Sequence, residues 1–389
     1  MGKDMRKVYM DYAATTPVDP RVMEAMQPFF TEEFGNTMAL YALGQESKLA
    51  VEESRETMAK ALNGDVEDIV FTGSATESNN LAIKGVAFAN RKRGKHIIIS
   101  AIEHPCVKES SRWLEKVGFE TTTLPVNDYG LVDPADVEKS IRDDTILCSV
   151  MHGNNEIGTI EPIKEIGDIC AERDVYFHTD AVQTFGRMDL DAKKVNFDLL
   201  TASSHKMYGP KGAALLYVRE GTRIDPILHG GGHEFGLRSS TVNVPAIVGF
   251  ARSVEICIGE MKDEWERLIG LRDRLIEGLL RLEGSTLNGH PSKRLANNVN
   301  ISFSLVEGES IVMLLDTYGV SASTGSACSS AKLEPSHVLR AIGLNPRLAH
   351  GSLRLSLGRW IQNQDIDYVL LVLLEIMGKL GEISPFKGV

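Results

Sequence analysis

The chain has 389 residues, 43% of them hydrophobic and 24% charged, with 35 Gly and 14 Pro. This ordinary globular usage excludes a collagenous, coiled-coil or wholly disordered protein. A formal net charge of −11 supplies no summed positive field toward phosphate backbones or anionic lipid, so strong general nucleic-acid binding is excluded as a primary activity.

At about 150 residues per domain the length predicts two or three domains with room for a sizeable core. Taken in order, short β-branched runs at 69–72, 96–101, 119–124, 145–150, 175–178, 198–202 and 213–218 predict buried strands. Between most of them, segments of helical period at 77–90, 105–116, 134–142 and 163–173 predict crossover helices. That alternation predicts an α/β fold with a mostly parallel sheet covered on both faces, whose ligands sit beyond the carboxyl ends of the strands. After about residue 250 the pattern changes to a long charged amphipathic helix (255–282), strands at 298–304 and 353–357, and helices at 309–318 and 366–380. This reads as a smaller α+β domain.

Cys106, Cys148, Cys170, Cys257 and Cys328 lie 22 residues or more apart, a spacing with neither a Cys-x-x-Cys pair nor a disulfide framework. Free thiols imply a reducing compartment. No apolar run opens the chain, and the longest one, 368–377, is about half the ~20 residues of a membrane span and carries Glu375. The protein is expected in the cytoplasm, without a membrane partner.

Phosphate-loop glycine motifs and the hydrolase Gly-x-Ser-x-Gly motif are missing. The candidate chemistry lies at strand ends. Ser74-Ala75-Thr76-Glu77 follows the first strand and fits a capping box, whose free N–H groups can also hold an anion. Asp180 stands just past the run 175–178, where it can protonate a heterocyclic nitrogen or merely cap a helix. Ser203-Ser204-His205-Lys206 follows the run 198–202; a lysine held there could form an imine, and Ser203 and His205 could donate to a phosphate. His104 could stack on a flat cofactor or be a satisfied core histidine. Arg354, on an apolar strand, needs a carboxylate, from protein or substrate. The small-residue run 321–331 around Cys328 suggests an accessible thiol, whereas the other four cysteines are expected to be inert.

Together these residues resemble the cysteine desulfurases of the pyridoxal-phosphate (PLP) aminotransferase superfamily, of the type that feeds iron–sulfur assembly. The match runs from Asp11-Tyr12-Ala13-Ala14-Thr15-Thr16-Pro17 to Ser384-Pro385. It includes Asn154-Asn155-Glu156-Ile157-Gly158, His205-Lys206, Tyr208-Gly209-Pro210-Lys211-Gly212, Gly230-Gly231-Gly232-His233-Glu234, Gly325-Ser326-Ala327-Cys328 and Leu333-Glu334-Pro335-Ser336.

The resemblance implies a fold-type I homodimer acting on L-cysteine, with a PLP-binding large domain over 15–262. Residues 1–14 and 263–389 would form a small domain that carries the catalytic cysteine loop at about 321–335. Lys206 would hold the cofactor as an imine. Asp180 would protonate the ring nitrogen, Gln183 would bond the ring oxygen and His104 would stack on the ring. Ala75, Thr76, Ser203 and His205 would hold the phosphate, together with Thr241 of the partner subunit. Asn155 and Arg354 would bind the substrate carboxylate, with Asn155 also touching the cofactor. Lys206, His104 and Cys328 would be catalytic, sulfur passing from cysteine to Cys328 and on to iron–sulfur scaffolds or tRNA thiolation. Cys328 would also ligate a transient [2Fe-2S] cluster shared with a scaffold protein.

Departures from the family pattern fall at Thr37 to Tyr41, Gly73-Ser74 and Phe235, near the phosphate turn and the site mouth. Rivals within the superfamily are a selenocysteine lyase, a cysteine-sulfinate desulfinase and an enzyme making cysteine on tRNA. A non-catalytic sulfur carrier is the alternative from another class.

Overall fold

The computed structural model describes residues 6–304, 306–325 and 335–383. Strand β1 (Val8–Tyr9) leads into helices α1 (Pro20–Met26), α2 (Pro28–Thr31) and α3 (Ala42–Leu62). Sequence periodicity assigns none of these. The buried face of α3 explains why: it carries Gly44, Ser47, Ser54 and Arg55 among its apolar residues, so small and polar side chains blur the period that marks an amphipathic helix.

Seven strands then build the main sheet: β2 (Ile69–Thr72), β3 (His96–Ser100), β4 (Glu120–Leu124), β5 (Thr145–Ser149), β6 (Tyr176–Asp180), β7 (Leu199–Ser203) and β8 (Ala214–Val218). Their order is β2-β8-β7-β6-β5-β3-β4, with β8 antiparallel to both neighbours and the other pairs parallel. Each end lies within two residues of its predicted run. The reason is burial on both faces. In β3, Ile98 enters one core cluster while Ile97 and Ile99 enter another; in β8, Leu215 and Tyr217 oppose Leu216 and Val218. Alternate side chains therefore meet different apolar layers, and the strand reads as a continuous apolar run.

The crossovers are α4 (Ala75–Asn80) and α5 (Val86–Asn90), joined by a π-helical turn at Leu81–Gly85, then α6 (Pro105–Glu115), α7 (Pro134–Ser140) and α8 (Ile163–Glu172). The π turn ends on Gly85, where a Cβ would come within 2.6 Å of the Asp225 carbonyl; this close backbone approach needs glycine. Helix α9 (Val244–Leu279) starts eleven residues before its predicted beginning and passes position 262 without a break. Its first turns bury Val244, Ala246, Ile247, Phe250, Ala251 and Val254 around Pro245. A proline within an apolar stretch lacking a polar stripe resembles an irregular connection, yet proline suits a helix's first turn.

Beyond α9 lie β9 (Ser285–Leu287), β10 (Asn298–Phe303), α10 (Gly308–Thr317), β11 (Val320–Ser321), α11 (His337–Ala341), α12 (Pro346–His350), β12 (Ser352–Ser356) and α13 (Asn363–Ile383). β12, β10 and β9 form an antiparallel sheet, while β1 pairs in parallel with β11 and Asp11 bridges to Ser356. The first strand thus lies among elements more than 300 residues further on.

A buried ion pair ties the start of the main sheet to a distant turn. Arg55 donates to both carboxylate oxygens of Glu234 at 2.8 and 3.0 Å and to the Ile69 carbonyl at 2.6 Å, while the Phe71 N–H donates to Glu234 at 2.7 Å. The Arg55 guanidinium also lies over the rings of Phe71 and Phe235. Glu234 and Phe235 hold φ of 50° and 56°, a left-handed conformation that non-glycine residues adopt at a cost.

Candidate active site

The carboxyl ends of five parallel strands open on one cleft of about 560 Å³. β2 delivers Ser74, Ala75 and Thr76, β3 His104, β5 Asn155, β6 Asp180 and Gln183, and β7 His205 and Lys206. Ala13 and Ala14 close one side, and Gly325, His337 and Arg354 come from the C-terminal third. This is the place a mostly parallel sheet offers a ligand. Of the predicted site residues, Ser203 ends β7 and is buried without lining the cleft, and Thr241 lies exposed outside it. Cys328 lies outside the described residues.

Lys206 closes a 3₁₀ turn, Ser204–Lys206, directly after β7. Its Nζ donates to the Ala13 and Ala14 carbonyls, both at 2.6 Å, and Arg187 donates to its backbone carbonyl. The amine is therefore aimed by the N-terminal segment. Thr16 donates through its N–H and hydroxyl to the His205 carbonyl, both at 3.0 Å, and the His205 ring Nδ1 lies 3.1 Å from the Thr15 hydroxyl. Burial, followed by the charges of Lys206 and Lys211, pushes His205 down to about 4, so its ring is neutral at pH 7.

Asp180 is 4% exposed at the end of β6. One oxygen accepts from the Val182 N–H at 3.0 Å, and the other accepts from the Asn79 amide at 2.7 Å. The carboxylate thus caps a turn at residues 181–184, where the sequence allowed a helix cap, and it also lines the cleft. Gln183 donates to the Ala13 carbonyl at 3.2 Å, leaving its buried Oε1 without a partner. Ser74 caps α4 by accepting from the Glu77 N–H, but the Glu77 carboxylate turns to the Gly73 N–H and to Arg238. The capping box is therefore displaced by one residue.

His104 is the N-cap of α6: its Nδ1 accepts from the Cys106 N–H at 3.2 Å. Arg354, 2% exposed, donates to Asp11 at 2.7 Å and to the carbonyls of Asn155 and Gly325 at 3.1 Å each; its Nε is unpartnered. The protein supplies the carboxylate that the arginine needs, and an incoming carboxylate must compete with Asp11.

Sequence reasoning missed Asn79, Cys106, Glu103, Glu156 and His337. Beneath the cleft, Ser100 and the Met151 N–H donate to Glu103, and Ser336 donates to Glu156. Burial pushes Glu103 and Glu161 up to about 8 and Glu156 to about 7. Burial pushes His152 and His337 down to about 4, as for His205. The histidine contribution to stability is complete above about pH 6.5 and is lost as pH falls toward 4. The carboxylates act oppositely: their contribution is complete below the ordinary carboxylate range and is lost as pH rises through 7 to 8. Resistance to urea should therefore fall between about pH 6.5 and about pH 8.5, with up to ~1.4 kcal/mol per pH unit for each titrating carboxylate. Glu103→Gln should flatten that slope; an unchanged slope would contradict this assignment.

The class-V aminotransferase family matches residues 8–369. A cysteine desulfurase from Methanosarcina thermophila is 54% identical over 385 residues, covering 99% of this chain and 95% of the relative. The chain belongs to the class-V aminotransferases. A solved NifS-like protein superposes with a TM-score of 0.90 at 38% identity, covering 97% of this chain and 99% of that one. A second, the protein SspA in complex with cysteine, gives a TM-score of 0.81 at 38% identity, covering 90% and 99%. These agree with the predicted mostly parallel α/β architecture of fold type I. Among the described residues no helix is long and apolar enough to cross a membrane.

Proposed function

We propose that this protein is a cysteine desulfurase, taking sulfur from L-cysteine onto Cys328 and releasing alanine. The observation that carries the reading is Lys206 Nζ in one cleft with Asp180, Gln183, His104 and Arg354, within a chain whose relatives are named for that activity.

The cleft fits pyridoxal phosphate, the cofactor implied by the family. The buried Asp180 carboxylate suits a protonated ring nitrogen, and the unpartnered Gln183 Oε1 leaves an acceptor inside the cleft. Thr76 and His205 lie where they could donate to a phosphate. When bound, the cofactor draws electron density from the substrate Cα and so makes its proton removable. Lys206 would hold the cofactor through Nζ, and the same amine would take up the Cα proton of the substrate. Asn79 and the Val182 N–H keep the Asp180 carboxylate oriented. Arg354 and Asn155 orient the substrate carboxylate, which fixes the direction of the sulfur. His104 exchanges protons at Nε2. The Cys328 thiolate then attacks the substrate sulfur; the Cβ–S bond breaks, its electron pair stays with carbon, a proton replaces sulfur at Cβ, and Nζ returns a proton to Cα, giving alanine and a persulfide on Cys328.

Exposed Phe30, Phe34, Met38, Leu40, Tyr41 and Leu49 cluster within residues 30–49, and such apolar exposure supports a homodimer. In it, Thr241 of the partner subunit would reach the phosphate. Ser203 would complete the phosphate site from the end of β7. The domain division at 14/15 and 262/263 belongs to the same reading, as do cytoplasmic residence and sulfur transfer to a scaffold protein or to tRNA thiolation. A [2Fe-2S] cluster on Cys328 would be cargo whose other ligands the scaffold supplies.

The test is to incubate purified enzyme with L-cysteine, quantify alanine and determine the mass of the Cys328 peptide before reduction. One added sulfur atom and stoichiometric alanine are expected, and Cys328→Ser should lose both. Alanine formation undiminished in Cys328→Ser would reject the mechanism.

A further inference from the structure

A hydrogen-bonded chain crosses the wall of the cleft from Asp180 to His104. The Asn79 amide nitrogen donates to Asp180 Oδ2 at 2.7 Å and to Cys106 Sγ at 3.1 Å, and Cys106 Sγ lies 2.9 Å from His104 Nδ1. Asn79 is fully buried and its Oδ1 has no partner. All four residues line the cleft.

The directions of these bonds follow from one contact. The Cys106 backbone N–H can only donate, and it points at His104 Nδ1; that nitrogen must therefore present a lone pair. The thiol meeting the same nitrogen must then be the donor, while its sulfur accepts from Asn79. Two donors converge on Nδ1, and the ring proton is left on Nε2.

We propose that Cys106 is a positioning residue whose S–H joins its own peptide N–H in holding His104 neutral, with the ring proton on Nε2. The inference rests on the desulfurase reading only in giving His104 a proton to exchange.

Two further observations agree. Burial, reinforced by Asp180 and Glu103, pushes the Cys106 thiol up to about 12, so the donor proton is retained throughout the physiological range. Burial also lowers the basicity of His104, and Lys206 adds to that effect while Asp180 opposes it. Among the described residues His337 also interacts electrostatically with the ring, and its Nε2 lies 2.9 Å from the Glu103 carbonyl. None of these neighbours selects between the two ring nitrogens; the thiol and the peptide N–H do. The sequence-based expectation that Cys106 is inert holds for nucleophilicity and misses this second capacity.

The test uses holoenzyme labelled with ¹⁵N-histidine, in which long-range ¹H–¹⁵N correlation distinguishes the tautomers and His104→Gln identifies the His104 signals. Wild type should show the Nε2–H form alone across the neutral range. Cys106→Ala, which keeps the peptide N–H but removes the thiol, should raise the His104 titration midpoint by about half to one pH unit while the peptide N–H still holds the Nε2–H form. Cys106→Ser, which restores a hydrogen-bond donor, should return the midpoint to its wild-type value. The acid limb of the pH profile for alanine formation should move with the midpoint. An unchanged midpoint in Cys106→Ala would overturn the inference, as would a change that serine does not reverse. A wild-type enzyme making no alanine would defeat the desulfurase reading instead, leaving the tautomer assignment intact.

Discussion

Lys206→Ala should suppress steady-state alanine production, with a loss of roughly 10²- to 10⁴-fold from the missing proton transfer at Nζ alone. Removal of the amine also removes the group that would fix the cofactor covalently, so the visible absorption of the purified protein should change. Little loss of fold is expected. The amine bonds the Ala13 and Ala14 carbonyls at the edge of the cleft, where water can replace it. Lys206→Arg preserves positive charge but cannot form an imine at neutral pH, and should be as inactive as alanine. Turnover above about one tenth of wild type in either variant would remove Lys206 from the reaction.

The second large effect concerns stability. Glu234→Gln leaves Arg55, 3% exposed, with only the solvent-exposed Glu52 carboxylate, 3.1 Å away, as its counter-charge. Removing one member of a buried pair typically costs 3–5 kcal/mol, about a third of the stability of an ordinary domain at the upper end of its range. Urea unfolding should shift accordingly. The double variant Arg55→Met with Glu234→Gln should recover part of the loss, because the under-compensated buried cation is removed as well. The Arg238–Glu77 pair, 18% and 23% exposed, should matter much less, since solvent screens it. Equal midpoints for Glu234→Gln and wild type would refute the importance assigned to this pair.

The parallel sheet was legible because both of its faces are buried: Ile97, Ile98 and Ile99 announce a strand whichever layer each one enters. Helix α3 was not, since it buries Ser47, Ser54 and Arg55 against the body of the protein. The site shows the same division. Asp180, His205 and Lys206 stand where apolar strands stop, a position that marks them. Asn79 sits inside a helix and meets partners 27 and 101 residues away; no local spacing encodes that meeting. Glu103 and Glu156 were hidden for another reason. Each reads as a loop carboxylate, an exposed type by habit, yet both are enclosed. Arg354 was foreseen to need a carboxylate, but only the structure identifies Asp11.

The opening residues 11–16 have a consequence for how the molecule is made. Ala13 bonds Ser356 across 343 positions, Asp11 meets Arg354 across the same span, and Ala13 and Ala14 receive Lys206. A ribosome must release nearly the whole polypeptide before its earliest segment can find its place. Lys206 therefore acquires its alignment at the close of synthesis, and a nascent or C-terminally shortened product carries that lysine without the strand ends that brace its threshold.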